Sequence, residues 1–156
     1  MLARNLLIAV IASPELLVGL AVWALVLYFP SMFGEIGAKL VSDSENWKYV
    51  TAVPTALFVW SATVFGDIRN PVDKEANRLL YNWPHYRLLV GRLYLALALS
   101  VSAAAVAISL WLFGKNLDHA TIGALFVGAL GVSLVVAATL TFARSRVREL
   151  LVQHGP

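Results

Sequence analysis

Four apolar stretches, separated by short polar segments, set the pattern of the chain. They cover residues 6–29, 47–66, 88–113 and 120–143. Each is close to the ~20 residues that a helix needs to cross a hydrocarbon core about 30 Å thick. The pattern predicts an all-α integral membrane protein, a four-transmembrane-helix bundle that forms a single membrane domain over residues 1–156.

The polar segment between the second and third stretches has a helical pattern of its own. Asn70 and Pro71 suit the start of a helix, and Pro84 ends the pattern. Apolar side chains recur at helical spacing along residues 71–82, opposite charged and amide side chains. This predicts a short amphipathic cytosolic helix that either lies on the membrane interface or receives a cytosolic protein.

Composition agrees with a membrane protein. Apolar residues make up 60% of the chain and charged residues 13%, and the mean hydropathy is +0.76. The chain has no cysteine, which excludes disulfides and thiolate metal sites. No small-residue cleavage pattern follows the first stretch, so we expect it to stay in the mature protein.

The distribution of Lys and Arg orients the bundle. Nine of these residues lie near the N-terminus, in the middle segment or after the last stretch, and three lie in the other two connections. The positive-inside rule then predicts that both termini face the cytosol. The net charge of +3 indicates attraction to anionic lipid rather than nucleic-acid binding, since no basic domain lies outside the stretches. We expect the inner membrane of a bacterium.

Catalytic patterns are scarce. The three histidines lie on separate segments, and none is paired at metal-binding spacing. Nucleophile elbows, phosphate-binding loops and dinucleotide fingerprints do not occur. The sequence therefore predicts a non-enzymatic protein with no metal and no cofactor.

Two groups of residues are candidates for contacts with partners. Small side chains on the last two stretches allow close helix packing or a homo-oligomer interface. These are Ala96, Ser100, Ala104, Gly123, Gly128 and Gly131. Basic, apolar and aromatic residues of the cytosolic segments are candidates for binding a cytosolic partner or lipid headgroups. These are Arg69, Lys74, Arg78, Leu79, Leu80, Trp83, His85, Arg87, Arg144, Arg146 and Arg148.

Glu15 is a carboxylate inside the first apolar stretch, and the sequence allows two registers for it. In a kinked helix over residues 6–29, Glu15 lies deep in the membrane, and Arg92 of the third stretch is its nearest candidate partner. Alternatively, Ser13 caps a helix that starts at Pro14, and Glu15 complements the helix dipole. The second register leaves residues 1–12 as an apolar segment before the helix.

Two parts of the chain resemble the small multidrug resistance transporters. A glutamate lies in the first stretch, and the hairpin "LWLFGKNLDHATIGALFVGALGV" of residues 110–132 is similar to the turn and last helix of that family. The resemblance implies that Glu15 binds the proton and the substrate, and that Trp60 faces the substrate. It predicts a small proton-coupled transporter.

Without that resemblance, the sequence favours a different function. It predicts an oligomeric membrane effector or accessory subunit that docks a cytosolic partner through its basic middle segment. Bacterial defence or toxin immunity, with a pore or a perturbed bilayer as the mode of action, fits this description. Transport through Glu15 is the alternative.

Overall fold

The computed structural model describes residues 13–69 and 81–154, with side chains given up to Leu150. Five α-helices and one short 3-10 helix account for most of these residues. The α-helices are α1 Pro14–Tyr28, α2 Pro30–Ser42, α3 Ser44–Arg69, α4 Tyr86–Phe113 and α5 His119–His154. The 3-10 helix, Gly114–Asn116, joins α4 to α5.

The predicted all-helical class is confirmed for the described residues, and several of the helices are candidates to span a membrane. Helix α3, α4 with the 3-10 helix, and α5 are each long and apolar enough to cross a membrane. The pair α1 and α2 also qualifies when taken together, but its two helices are bent by 102° at Phe29. The described chain therefore contains three candidate spans, or four if this bent pair counts as one.

Helix α5 is the centre of the bundle. It has 36 residues, which is about 54 Å at 1.5 Å per residue. Each of the other four α-helices packs against it, and α4 also packs along α3. Because α5 contacts the other four α-helices, the face of α5 on which each of them packs defines its position in the bundle.

The bent pair covers one side of α5. Val18 and Val22 of α1 lie next to Gly131 and Gly128 of α5, so the two helices run antiparallel. After the bend, α2 crosses the first turns of α5 at the glycines Gly37 and Gly123. A Cβ on Gly37 would overlap the carbonyl oxygen of His119, and one on Gly123 would overlap that of Phe33. The two backbones are in direct contact there.

Two apolar clusters close the ends of the bundle formed by α3, α4 and α5. One contains Ile68, Leu93 and Leu140 and lies where α3 ends and α4 begins. The other contains Trp47, Val50, Leu110 and Ile122 and lies beside the 3-10 helix. Five arginines lie near the first cluster, and we call that end of the bundle the basic end: Arg69, Arg87, Arg144, Arg146 and Arg148. The end at the second cluster is the opposite end.

The structure differs from the sequence prediction in the connection between the first two apolar stretches. The sequence predicts a polar connection over residues 34–48, but most of these residues form α2 and the first turn of α3. Phe33 and Gly37 are buried while Glu35 and Lys39 are exposed, and this amphipathic spacing explains the helix. Of the amphipathic helix predicted over residues 71–82, only Tyr81 and Asn82 are described, and both are helical.

Asp118 begins α5 at the opposite end. Its carboxylate accepts hydrogen bonds from the backbone N–H of Thr121 at 2.9 Å and from the Thr121 hydroxyl at 2.6 Å. The hydrogen bonds from Thr121 lower the pKa of Asp118 below its usual 3.8. The ionised form therefore caps α5 at neutral pH.

Candidate functional site

Helix α1 starts at Ser13 and does not continue through it. The backbone of Ser13 is extended, with φ −80° and ψ 123°, and its hydroxyl accepts a hydrogen bond from the N–H of Leu16 at 3.3 Å. Pro14 takes the first helical position and Glu15 lies in the first turn. This is the second register that the sequence allowed. Residues 6–12 of the predicted span lie outside the described residues.

Glu15 is nevertheless buried, with 5% of its surface exposed. Its Oε1 lies 3.0 Å from the hydroxyl oxygen of Thr139, which also lies 3.0 Å from the carbonyl oxygen of Val136. A threonine hydroxyl has one proton for these two acceptors. Thr139 is therefore placed to donate this proton to Glu15 Oε1 or to the carbonyl oxygen of Val136.

Glu15 and Arg92 line the same cavity, of about 510 Å³. The cavity lies between α1 and α4, with α5 as its floor. The sequence-predicted pair of intramembrane charges is thus brought to one place. The other lining residues are Leu89, Leu93, Ala96, Ala138, Thr139, Leu140, Phe142 and Ala143.

Trp60, which the family resemblance makes a substrate-facing residue, lies elsewhere. It lines a groove of about 640 Å³ between α3 and α5. Its indole N–H donates a hydrogen bond to the Thr141 hydroxyl at 3.3 Å. Glu15 does not line this groove.

A layer of three serines crosses the core of α3, α4 and α5. Val64, Ala96 and Val136 belong to the cluster at the basic end. Each of the three serines lies about one helical turn from one of these residues, on the side toward the opposite end. Ser61, Ser100 and Ser133 are fully buried, and within the described chain their hydroxyls have no hydrogen-bond partner. Each such hydroxyl costs free energy that an alanine there would not.

The small residues predicted to pack the last two spans divide between two faces of α5. Ala96, Ser100 and Ala104 of α4 are buried, and Ala103 and Ala107 pack against Ala129 of α5. The glycines of α5 also lie at helix contacts, but not at the contact with α4. They face α1 and α2 instead, because a missing side chain lets those helices approach closely: Gly123, Gly128 and Gly131.

Two of the basic candidates hold the bundle together at its basic end. Arg144 makes an ion pair with Asp67 at 2.6 Å, which joins α5 to α3. Arg69 donates a hydrogen bond to the Tyr94 hydroxyl at 2.9 Å, which joins α3 to α4.

The remaining basic candidates that the structure describes face outward. Arg87 and Arg148 are exposed, and Arg146 pairs with Glu149 on its own helix at 2.9 Å. The Trp83 ring packs edge-on against His85, with centroids 5.7 Å apart. Other candidates of the middle segment lie outside the described residues: Lys74, Arg78, Leu79 and Leu80.

Sequence reasoning missed Thr139, Ser61 and Ser133. Thr139 is a polar residue within an apolar helix, but its role depends on which face of α5 meets α1. Ser61 and Ser133 have the same limitation, because the serine layer is formed by residues of three different helices.

Comparison of the chain with protein-family models, with curated proteins and with solved structures gave no match. The functional argument therefore rests on the geometry of this chain.

Proposed function

We propose that the protein is a non-enzymatic, oligomeric accessory subunit or effector of a bacterial inner membrane, and that its basic end docks a cytosolic protein. The observation that carries the proposal is the shape and charge of that end. Helix α5 continues ten residues beyond Arg144 to His154, about 15 Å of helix. This extension is long enough to project from a bilayer that contains the rest of α5.

The projecting part of α5 is held against the start of α4. Val147 is buried in the same cluster on which Tyr86 packs. The exposed residues at the start of α4, those just before it and those near the end of α5 therefore lie at one end of the molecule. We call them the basic-end surface: Trp83, His85, Arg87, Arg146 and Arg148.

A cytosolic protein with an acidic surface fits the basic-end surface best. Arginine and tryptophan are the residue types that contribute most to protein interfaces, and the arginines favour an acidic partner. Lipid headgroups attract arginines as well, and Arg148 is only about 6 Å beyond Arg144 along α5. Lipid is therefore the competing occupant that the crosslinking experiment must distinguish from a protein. The proposal includes a mode of action, in which the protein forms a pore or perturbs the bilayer as part of bacterial defence.

Site-specific photo-crosslinking in cells tests the docking. A photoreactive amino acid at Arg87 or Arg148 is expected to capture one cytosolic protein, and the same probe at Lys115 of the opposite end is the matched control. The double variant Arg87→Glu/Arg148→Glu should reduce that crosslink at least tenfold, because like charges repel an acidic surface. Capture of lipid alone, or equal capture from Lys115, would argue against docking at the basic end.

Transport of a cation through Glu15 has less support. Arg92 lines the cavity of Glu15 and adds a positive charge that opposes a cationic substrate. Trp60 lines a separate groove, so one chain does not bring together the two residues that the family resemblance predicts.

A further inference from the structure

The charges of the Glu15 cavity balance each other. One carboxyl group and one guanidinium group line it, and most of its other walls are apolar. Placing a net charge in such surroundings costs several kcal/mol unless it is paired. A purely cationic or purely anionic ligand would leave one of the two protein charges facing a like charge. A ligand that carries both charges satisfies both side chains.

The position of the cavity points to a membrane lipid. Helix α1 packs on α5, whereas α4 packs on α3 and α5, so the cavity lies in the gap between α1 and α4. Thr139 on its floor is five residues before Arg144, about 7.5 Å along α5. Arg144 and Asp67 form the ion pair at the basic end, where lipid headgroups would lie. Leu93, Ala96 and Ala138 lie on the side of Arg92 and Thr139 away from the basic end, and they offer apolar surface to the start of an acyl chain.

We propose that this cavity binds the headgroup of an aminophospholipid of the phosphatidylethanolamine type. The primary ammonium donates hydrogen bonds to Glu15, whose Oε1 is held by Thr139, and the phosphate accepts from Arg92. Arg92 has an interaction of its own, and a guanidinium has five N–H donors, enough to serve a phosphate as well. A quaternary ammonium has no N–H, so a choline headgroup cannot donate a hydrogen bond to Glu15 and keeps only the weaker charge attraction.

Native mass spectrometry of the purified full chain tests the proposal. The protein is titrated separately with phosphatidylethanolamine, phosphatidylcholine and phosphatidylglycerol of identical acyl chains. We expect the ethanolamine lipid to bind at least tenfold more tightly than the choline lipid. Glu15→Gln should bring this ratio close to one, because a neutral amide accepts a weaker hydrogen bond from the primary ammonium than a carboxylate does. Arg92→Gln should weaken both zwitterionic lipids.

Two controls separate lipid recognition from loss of fold. Glu35→Gln removes an exposed carboxylate on α2 and should leave the ratio unchanged. Circular dichroism should show the same helix content in every variant that is titrated. If Glu15→Gln lowers the helix content, Thr139→Val replaces it, since it removes the hydrogen bond to Glu15 and should also lower the ratio.

The outcomes separate the candidate ligands. Equal binding of the two zwitterionic lipids by the wild-type chain, or a ratio unchanged in Glu15→Gln, overturns the proposal. Preference for phosphatidylglycerol would mean that Arg92 binds an anionic lipid without Glu15, and would overturn it too. So would Glu15-dependent binding of tetraphenylphosphonium with no lipid preference, which would support the transport alternative instead.

Discussion

Gly37→Ala and Gly123→Ala are each expected to separate α2 from α5 and to lower the stability of the protein strongly. The Cβ of each alanine would overlap a backbone carbonyl oxygen, that of His119 or that of Phe33. Backbone atoms of packed helices cannot move aside as a side chain can. We expect each loss to reach the upper end of the roughly 1–3 kcal/mol that overpacking costs, measured as the free energy of unfolding in detergent.

The same helix provides the control. Gly34 is three residues before Gly37 on α2, and a Cβ there would meet nothing within 4 Å. Gly34→Ala should be neutral or slightly stabilising, because alanine is the better helix former by about 1 kcal/mol. If Gly37→Ala were as stable as Gly34→Ala, the direct contact between α2 and α5 would be wrong.

Replacing the serine layer with alanine is expected to stabilise the protein. Ser61, Ser100 and Ser133 are fully buried, and their hydroxyls have no hydrogen-bond partner among the residues that the structure describes. Leaving a buried hydroxyl unpaired costs about 1–3 kcal/mol, so the triple variant should gain roughly 3 kcal/mol or more in free energy of unfolding. Reversible unfolding in mixed detergent micelles measures the change.

Ser102→Ala is the matched control for the serine layer. Ser102 lies on α4 close to Ser100, but it is exposed and donates a hydrogen bond to the carbonyl of Ala98 at 2.9 Å. Its replacement should change the stability little. A triple variant less stable than the wild type would show that the three hydroxyls have a partner in the protein, such as a buried water molecule.

Hydropathy alone predicted the helical class and most of the long helices. The apolar run over residues 88–113 predicted α4, which extends over Tyr86–Phe113. This element can be read from the sequence because a membrane-spanning helix needs a continuous run of apolar residues. Hydropathy did not give the 102° bend at Phe29. Pro30 marks the end of α1 locally, because a proline disfavours helical backbone at the residue before it. The direction of α2 after the bend depends on its contact with the glycines of α5, and that contact joins residues far apart in sequence.

The candidate site was predictable only in part, because local sequence marks some of its residues and only the packing of the helices selects the others. Glu15 and Arg92 stand out as charges within apolar runs, and the start signal at Ser13 and Pro14 is local. Thr139 is not recognisable in this way, because hydroxyl side chains are common in membrane helices and only the packing of α1 on α5 selects it. The pairing of the α5 glycines with α1 and α2 rather than α4 is likewise a property of the packing.

The orientation of the bundle is the claim on which cytosolic docking depends, and single-cysteine labelling measures it directly. The chain has no cysteine, so each introduced thiol is unique. Glu35, Lys115 and Arg148 are exposed at known ends of the molecule. In cells with a permeabilised outer membrane, a membrane-impermeant maleimide should label Glu35→Cys and Lys115→Cys at once, and Arg148→Cys only after the inner membrane is opened. Immediate labelling of Arg148→Cys, with protection of the other two, would contradict the account.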